Sequence, residues 1–145
     1  MYGDVIRLFD EVRLLEHQLV RTATILHADL DVTIPGRAVL EFLRRAGPAS
    51  VPEIARARLV TRQHIQGIVD TLLDAGHVER ITNPAHRRSA LITLTASGAE
   101  LIALVQQRED AFLESRLDGI DGVDVIAATR LLAAVRGVLD PKELP

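Results

Sequence analysis

The segment that most constrains the fold is residues 61–95, where the spacing of apolar residues changes from a helical to a strand-like period. Residues 61–76, TRQHIQGIVDTLLDAG, begin with a threonine suited to cap a helix and end on a glycine suited to terminate one. The apolar residues between them share one helical face: Ile65, Ile68, Val69, Leu72 and Leu73. Residues 77–95 then favour two short strands around a turn at Asn83-Pro84. We therefore expect a helix followed directly by a hairpin.

Helices are predicted on both sides of this unit. An apolar stripe over residues 4–29 predicts a long first helix, and Thr33 and Gly47 mark the start and end of a second. Ser50 and Glu53 have the spacing of a capping box before a short third helix. Two more helices follow the hairpin, with a break near Gly119 and Gly122. The expected fold class is mostly α, formally α+β, because the hairpin contributes the only predicted strands.

Residues 51–75 have the spacing of a helix-turn-helix. Its first helix needs a small residue where the second crosses it, and its second needs a branched apolar residue ten positions later. Ala55 and Ile65 meet these two requirements, whereas Leu59 stands in the turn where glycine is often found.

The outward face of the second helix carries side chains suited to DNA. With the apolar stripe buried, Thr61, Arg62, Gln63, Gln66 and Asp70 are left exposed, with His64 beside them. Arginine and glutamine form paired hydrogen bonds to guanine and adenine in the major groove. The alternative interpretation is an ordinary solvated helix face. The pattern favours a recognition helix over residues 61–75, with its N-terminal half in the groove.

Charge is distributed unevenly along the chain. The net charge is −3, yet residues 35–98 hold nine arginines against five acids, and the remainder holds an acidic excess. A basic centre between acidic flanks is typical of a surface that binds a polyanion. Arg87 and Arg88 lie at the tip of the predicted hairpin, where they would suit the negative potential of a minor groove.

The stretch SVPEIARARLVTRQHIQGIVDTLLDAGHVERITNPAHRRSALITLTASGAEL resembles the winged helix-turn-helix of MarR-family transcriptional regulators. The family's wing commonly shows Asp-x-Arg, five residues, and then Leu-Thr, and this chain keeps Arg88 and Leu94-Thr95. His86 replaces the aspartate, and Asn83 replaces a second aspartate three residues earlier. The substitutions leave the tip of the wing, residues 81–95, more positive.

The resemblance implies a homodimer that binds a pseudo-palindromic operator in double-stranded DNA and acts as a repressor. A cytoplasmic location is expected because the first residues are charged from position 4 onward and do not resemble a signal peptide. The implied DNA contacts are Ser50, Thr61, Arg62, Gln63, His64, Gln66, His86, Arg87 and Arg88. Residues 1–145 are expected to form one domain, with a winged unit at 34–98 between dimerisation helices at 4–33 and 99–145. The apolar stripes of those helices are too long for the winged unit to cover, which independently favours a second chain.

Members of the family usually bind a small aromatic or anionic effector between the dimer helices and the winged unit. The candidate residues for such a pocket are His17, Arg21, Leu26 and Phe42. No cofactor is expected.

Other function classes are less favoured. The sequence has no cysteine, no glycine-rich phosphate loop and no His-Glu-x-x-His motif, so we expect no enzyme and no catalytic residue. No apolar run reaches the roughly 18 residues of a membrane span. Two alternatives stay open: a winged-helix module that mainly contacts proteins, with weak DNA binding, and a metal-responsive regulator. The histidines at 17, 27, 64, 77 and 86 are too scattered to indicate a metal site.

Overall fold

The computed structural model describes residues 1–140, which divide into two compact units, residues 1–109 and the segment from Asp110 onward. The elements follow the predicted order: α1 (Tyr2–Leu26), α2 (Ile34–Ala46), α3 (Val51–Arg58), α4 (Arg62–Asp74), β1 (Val78–Ile81), β2 (Leu91–Leu94), α5 (Ala96–Glu114) and α6 (Gly122–Val138). The mostly helical class with one small antiparallel sheet is confirmed.

The predicted helix caps are present at three starts. The Gly36 N–H donates to Thr33 Oγ1 at 3.1 Å, and the His64 N–H donates to Thr61 Oγ1 at 3.2 Å. Ser50 and Glu53 form the capping box of α3. Each cap supplies an acceptor or donor to a helix end that has no partner within the helix.

The core of the first unit lies between α5 and the preceding elements α2, α3, α4, β1 and β2. Its buried side chains come from α2, α3, α4, both strands and α5: Val39, Leu40, Leu43, Ala49, Ile54, Ala55, Ile65, Val69, Leu72, Val78, Ile92, Ile102 and Val105. Ala55 and Ile65 are each 2% exposed, which confirms the predicted crossing of α3 and α4. The apolar face of α4 therefore points inward, and the polar face described above points out.

The hairpin is held by more than its own two strands. β1 pairs with β2 in antiparallel register, with Val78 opposite Leu94 and Ile81 opposite Leu91. Ala49, just before α3, adds two backbone hydrogen bonds to Ile92, at 3.0 and 2.8 Å. β1 begins at Val78, within the segment 77–95 predicted to form the two strands, and Val78 is buried against the core.

The first helix ends at Leu26, so the prediction that it continues to residue 29 was wrong. The chain turns at His27, whose backbone carbonyl accepts from the Leu30 N–H at 3.0 Å. Arg108 of α5 holds Asp29 through two hydrogen bonds, at 2.6 and 2.8 Å. The Arg108 guanidinium lowers the pKa of Asp29 from 3.8 to about 2. Contacts with α5 therefore fix the turn after α1. Because Arg108 is 79 positions from Asp29, the local sequence could not indicate where α1 ends.

The turn between α3 and α4 contains a strained residue. Leu59 has φ +56° and ψ +39°, and it is the sole non-glycine residue with positive φ in the described part of the chain. A Cβ atom in this left-handed conformation costs roughly 1–2 kcal/mol. The side chain is 78% exposed, so it recovers little of that cost through burial.

Leu59→Gly is therefore expected to raise the free energy of unfolding by about 1 kcal/mol, because glycine carries no such penalty. Chemical denaturation would measure the change. Leu59→Ala is the matched control, because alanine keeps Cβ, and its effect should stay within about 0.5 kcal/mol. Equal stability of the glycine and alanine variants would contradict the assignment of strain.

Candidate nucleic-acid interface

The exposed face of α4 presents the predicted polar residues together. Thr61, Arg62, Gln63 and His64 are exposed in the first turn, and Gln66 is half-buried one turn later. Burial of Ile65, Val69 and Leu72 on the opposite face fixes this orientation. The helix therefore presents donors and acceptors suited to base edges at its N-terminal half.

Gln66 is part of a small hydrogen-bonded network that includes a residue of the hairpin. Its Nε2 donates to Asp70 Oδ1 at 2.8 Å, and Arg80 Nη2 of β1 donates to the same oxygen at 3.1 Å. The side chains of Asp70 and Arg80 are both about half exposed. The network links the recognition helix to the first strand of the wing.

A hollow of about 440 Å³ lies between α4, the start of α3 and the hairpin. Arginines from three separate segments line it: Arg62 of α4, Arg80 of β1 and Arg88 of the wing tip. Gln63 and Gln66 complete its polar lining. The fold thus brings together basic side chains that are up to 26 positions apart in the sequence. Such a concave, basic surface suits an extended anionic ligand, for example the phosphate backbone of a nucleic acid.

The wing tip is built as a compact turn with its charges outward. Asn83 is buried, and its Oδ1 accepts from the Ala85 N–H at 3.0 Å; the Ser89 N–H donates to the His86 carbonyl at 2.9 Å. His86, Arg87 and Arg88 are exposed. Within residues 1–140, neither wing arginine forms an ion pair. Both guanidinium groups are therefore available to an external anion.

Ser50 has a structural role at the start of α3. It is 6% exposed, and both its hydroxyl and its N–H donate to Glu53 Oε2, at 2.6 and 2.7 Å. These hydrogen bonds lower the pKa of the Glu53 carboxyl, and the positive charge of nearby Arg56 acts in the same direction. The hydroxyl proton of Ser50 is therefore used in capping α3, and its contact with DNA stays a prediction.

The four candidate effector residues are not gathered at one site. His17 and Arg21 are exposed on α1, and Leu26 is half-buried at the end of that helix. Phe42 packs against the core. None of the four lines the cavity that does lie at the α1–α2 connection, which has a volume of about 250 Å³.

The lining of that cavity includes His27 and Arg37, which the sequence did not single out for an effector. His27 is 6% exposed, and its Nε2 lies 3.2 Å from Glu109 Oε1, which also accepts from Arg37. His27 Nδ1 is buried and has no hydrogen-bond partner among residues 1–140. Glu109 is 82 positions from His27, so no local pattern could have indicated this cluster.

The described residues show neither a metal-binding cluster nor a membrane-spanning helix. Among residues 1–140, no group of three or more histidine, aspartate or glutamate side chains is arranged to hold a metal ion. Over the same residues, no helix is both long and apolar enough to cross a membrane.

Comparisons with known proteins agree with the sequence resemblance. A sequence model of the MarR family matches residues 30–89. The multiple antibiotic resistance protein MarR of Salmonella typhimurium is 30% identical over 103 residues, covering 71% of this chain and 72% of that protein. The transcriptional activatory protein BadR of Rhodopseudomonas palustris is 32% identical over 104 residues, which cover 70% of this chain and 59% of BadR. An uncharacterized protein of Mycobacterium tuberculosis is 33% identical over 81 residues, and the chain spans only 56% of its length.

Solved structures show the same fold over nearly the whole chain. A MarR-family transcription regulator matches with a TM-score of 0.81 and 30% identity, covering 99% of each chain. Wild-type apo MarR from E. coli matches with a TM-score of 0.74 and 25% identity, covering 88% of this chain and 95% of that one. On the strength of these matches and of the winged helix itself, the chain belongs to the MarR family of transcription regulators.

Proposed function

We propose that this regulator binds a pseudo-palindromic operator in double-stranded DNA as a homodimer. In this proposal α4 enters the major groove and the wing, residues 81–95, enters the adjacent minor groove. The observation that carries the proposal is the hollow where Arg62, Arg80 and Arg88 converge beside Gln63 and Gln66. The proposed contacts are Thr61, Arg62, Gln63, His64, Gln66, His86, Arg87 and Arg88.

The charges in this surface suit two kinds of contact. Arg62, Gln63 and Gln66 lie on the helix that would read base edges, where paired hydrogen bonds discriminate between bases. Arg87 and Arg88 are exposed without ion-pair partners in the described residues, as a minor-groove or phosphate contact requires. Affinity that depends on arginine–phosphate contacts falls steeply as salt rises.

Proteins with this fold support the proposal. A mutant of MarR from E. coli, solved in complex with operator DNA, matches this chain with a TM-score of 0.77 at 24% identity, which by itself shows the fold alone. The relatives differ in whether they activate or repress transcription. BadR is a transcriptional activatory protein, whereas NicR of Pseudomonas putida is a transcriptional repressor. NicR is 38% identical to this chain over 60 residues. We propose repression in the cytoplasm, because a dimer bound across a promoter would block access to it.

The proposed homodimer would use the long terminal helices, within residues 4–33 and 99–145. α6 buries none of its residues in the described chain, and α1 buries only Ala23. Their exposed apolar side chains include Ile6, Leu14, Leu15, Leu19, Val123, Ile126, Leu131 and Val138. An apolar surface of this extent is typical of a protein interface. A two-fold dimer would place two copies of α4 about 34–36 Å apart, one turn of DNA.

We also propose that a small-molecule effector releases the DNA, and that it binds in the cavity at the α1–α2 connection. His27 Nε2 faces Glu109 Oε1, and His27 Nδ1 is buried without a hydrogen-bond partner in the described residues. Arg37 adds a guanidinium to the same cavity. The lining would suit a small ligand that carries an anionic group for Arg37 and a polar group that forms a hydrogen bond with His27 Nδ1. BpsR of Bordetella bronchiseptica shares the fold at 22% identity. The DNA binding of BpsR is regulated by 6-hydroxynicotinic acid.

Selection of bound genomic fragments by the purified protein tests the proposed function. We expect enrichment of fragments that share an inverted repeat, and the best of them can then be screened for small molecules that release it. Failure to enrich any common sequence would contradict sequence-specific binding and would favour a module that mainly contacts proteins.

A further inference from the structure

We infer that Asp70 and Arg80 hold the side-chain amide of Gln66 in a single orientation and so determine which base the recognition helix accepts opposite Gln66. The inference rests on the proposed function, because it concerns how the same surface chooses its sequence. Asp70 and Arg80 act as positioning residues, since they act on the base through Gln66.

The network itself fixes the amide. Asp70 Oδ1 lies 2.8 Å from Gln66 Nε2, and an ionised carboxylate only accepts hydrogen bonds. The group that faces Asp70 must therefore be the NH2 of Gln66. Turning the amide by 180° would place Gln66 Oε1 against Asp70 Oδ1, two acceptors with no proton between them. The carboxylate thus excludes one of the two amide orientations.

The allowed orientation leaves Gln66 with a defined set of groups for DNA. Oε1 has no hydrogen-bond partner in the described residues, and Nε2 carries two hydrogens, of which Asp70 takes one and leaves the other for DNA. Together they form an acceptor–donor pair, which matches the N6 donor and N7 acceptor of adenine in the major groove. Guanine presents two acceptors, O6 and N7, and would place O6 against Gln66 Oε1. Gln66 is therefore expected to prefer adenine.

Arg80 offsets the negative charge that Asp70 brings to the proposed DNA-binding surface. An unpaired Asp70 would repel the phosphates of approaching DNA. Arg80 Nη2 donates to the same Oδ1 at 3.1 Å, and its positive charge offsets that of the carboxylate at the rim of the basic hollow. The hydrogen bond from β1 also holds Asp70 in place, so the wing takes part in fixing the recognition helix.

The test is base preference at each operator position, measured by competition among duplexes that carry each of the four base pairs. For the wild-type chain, one position in each half-site should prefer A·T over G·C by about tenfold, within the range of a single paired contact. In Asp70→Asn that preference should fall to about twofold or less, because the asparagine NH2 can donate to a reversed Gln66 amide. Preferences at other positions should stay the same.

Two variants complete the design. Gln66→Ala should lose the preference at the same position, and Asp70→Asn added to it should cause no further loss there. Asp74→Asn removes the same charge from the same helix but lies two turns from Gln66, so it should keep the full preference. Retention of the adenine preference in Asp70→Asn, or its loss in Asp74→Asn, would overturn the inference. If wild-type protein binds no duplex specifically, the proposed function itself fails instead.

Discussion

Gly98→Ala is expected to lower the free energy of unfolding by about 3 kcal/mol, at the upper end of the range for overpacking a well-filled site. A Cβ atom at this position would lie 1.9 Å from the His77 carbonyl oxygen and 2.9 Å from the His77 carbonyl carbon. Both are backbone atoms, so no side-chain rotation can relieve the clash. α5 would have to move away from the start of β1.

The clash falls where the wing joins the rest of the fold. The Thr95 N–H donates to the same His77 oxygen at 3.1 Å, and Thr95 Oγ1 donates to the Gly76 carbonyl at 2.7 Å. Thr95 Oγ1 also accepts from the Gly98 N–H at 3.1 Å. A displaced α5 would break these hydrogen bonds together. We therefore expect the variant to be less stable and β2 to shift from its position.

Urea denaturation of the two proteins measures this effect. Gly67→Ala is the matched control, because Gly67 is also helical and a Cβ atom there meets nothing within 4 Å. It should instead raise stability by about 1 kcal/mol, the usual difference in helix propensity. Equal effects of the two substitutions would show that the contact between Gly98 and His77 is not tight.

The double substitution Arg62→Ala and Arg88→Ala is expected to weaken operator binding by about 100-fold or more. Each arginine lines the basic hollow, one from α4 and one from the wing. A paired arginine contact to a base contributes about 1–3 kcal/mol of discrimination, and lost phosphate contacts would add to this. Both side chains are exposed, so stability should change by no more than about 0.5 kcal/mol.

Fluorescence anisotropy over a range of salt concentrations distinguishes these contributions. Loss of a phosphate contact should reduce the slope of log affinity against log salt by about 1. Arg45→Ala is the control, because Arg45 is an exposed arginine that pairs with Glu41 on α2 and does not line the hollow. Its affinity should match that of the wild type. An unchanged affinity in the double variant would show that DNA binds elsewhere.

Local signals were sufficient to predict the elements that carry the site. Thr61 and the apolar spacing up to Leu73 identified the recognition helix, and the Ser50–Glu53 spacing identified the start of α3. These signals succeed because caps and helical periodicity depend on residues only three or four positions apart. The wing arginines were also visible, since the hairpin places its tip residues at the surface.

Contacts between distant segments could not be predicted from sequence. The Gly98–His77 approach, the Asp29–Arg108 pair and the His27–Glu109 contact each join residues 21 to 82 positions apart. Asp70 was recognised as exposed, but its hold on Gln66 depends on where β1 places Arg80.

Hydroxyl-radical footprinting of the selected operator tests the central claim most directly. We predict two protected half-sites related by two-fold symmetry, with centres about 10 base pairs apart as one helical turn requires. Flanking minor-groove protection should disappear in Arg88→Ala while the central protection persists. Protection without two-fold symmetry, or a flanking pattern that Arg88→Ala leaves unchanged, would contradict a dimer that reads DNA with α4 and the wing.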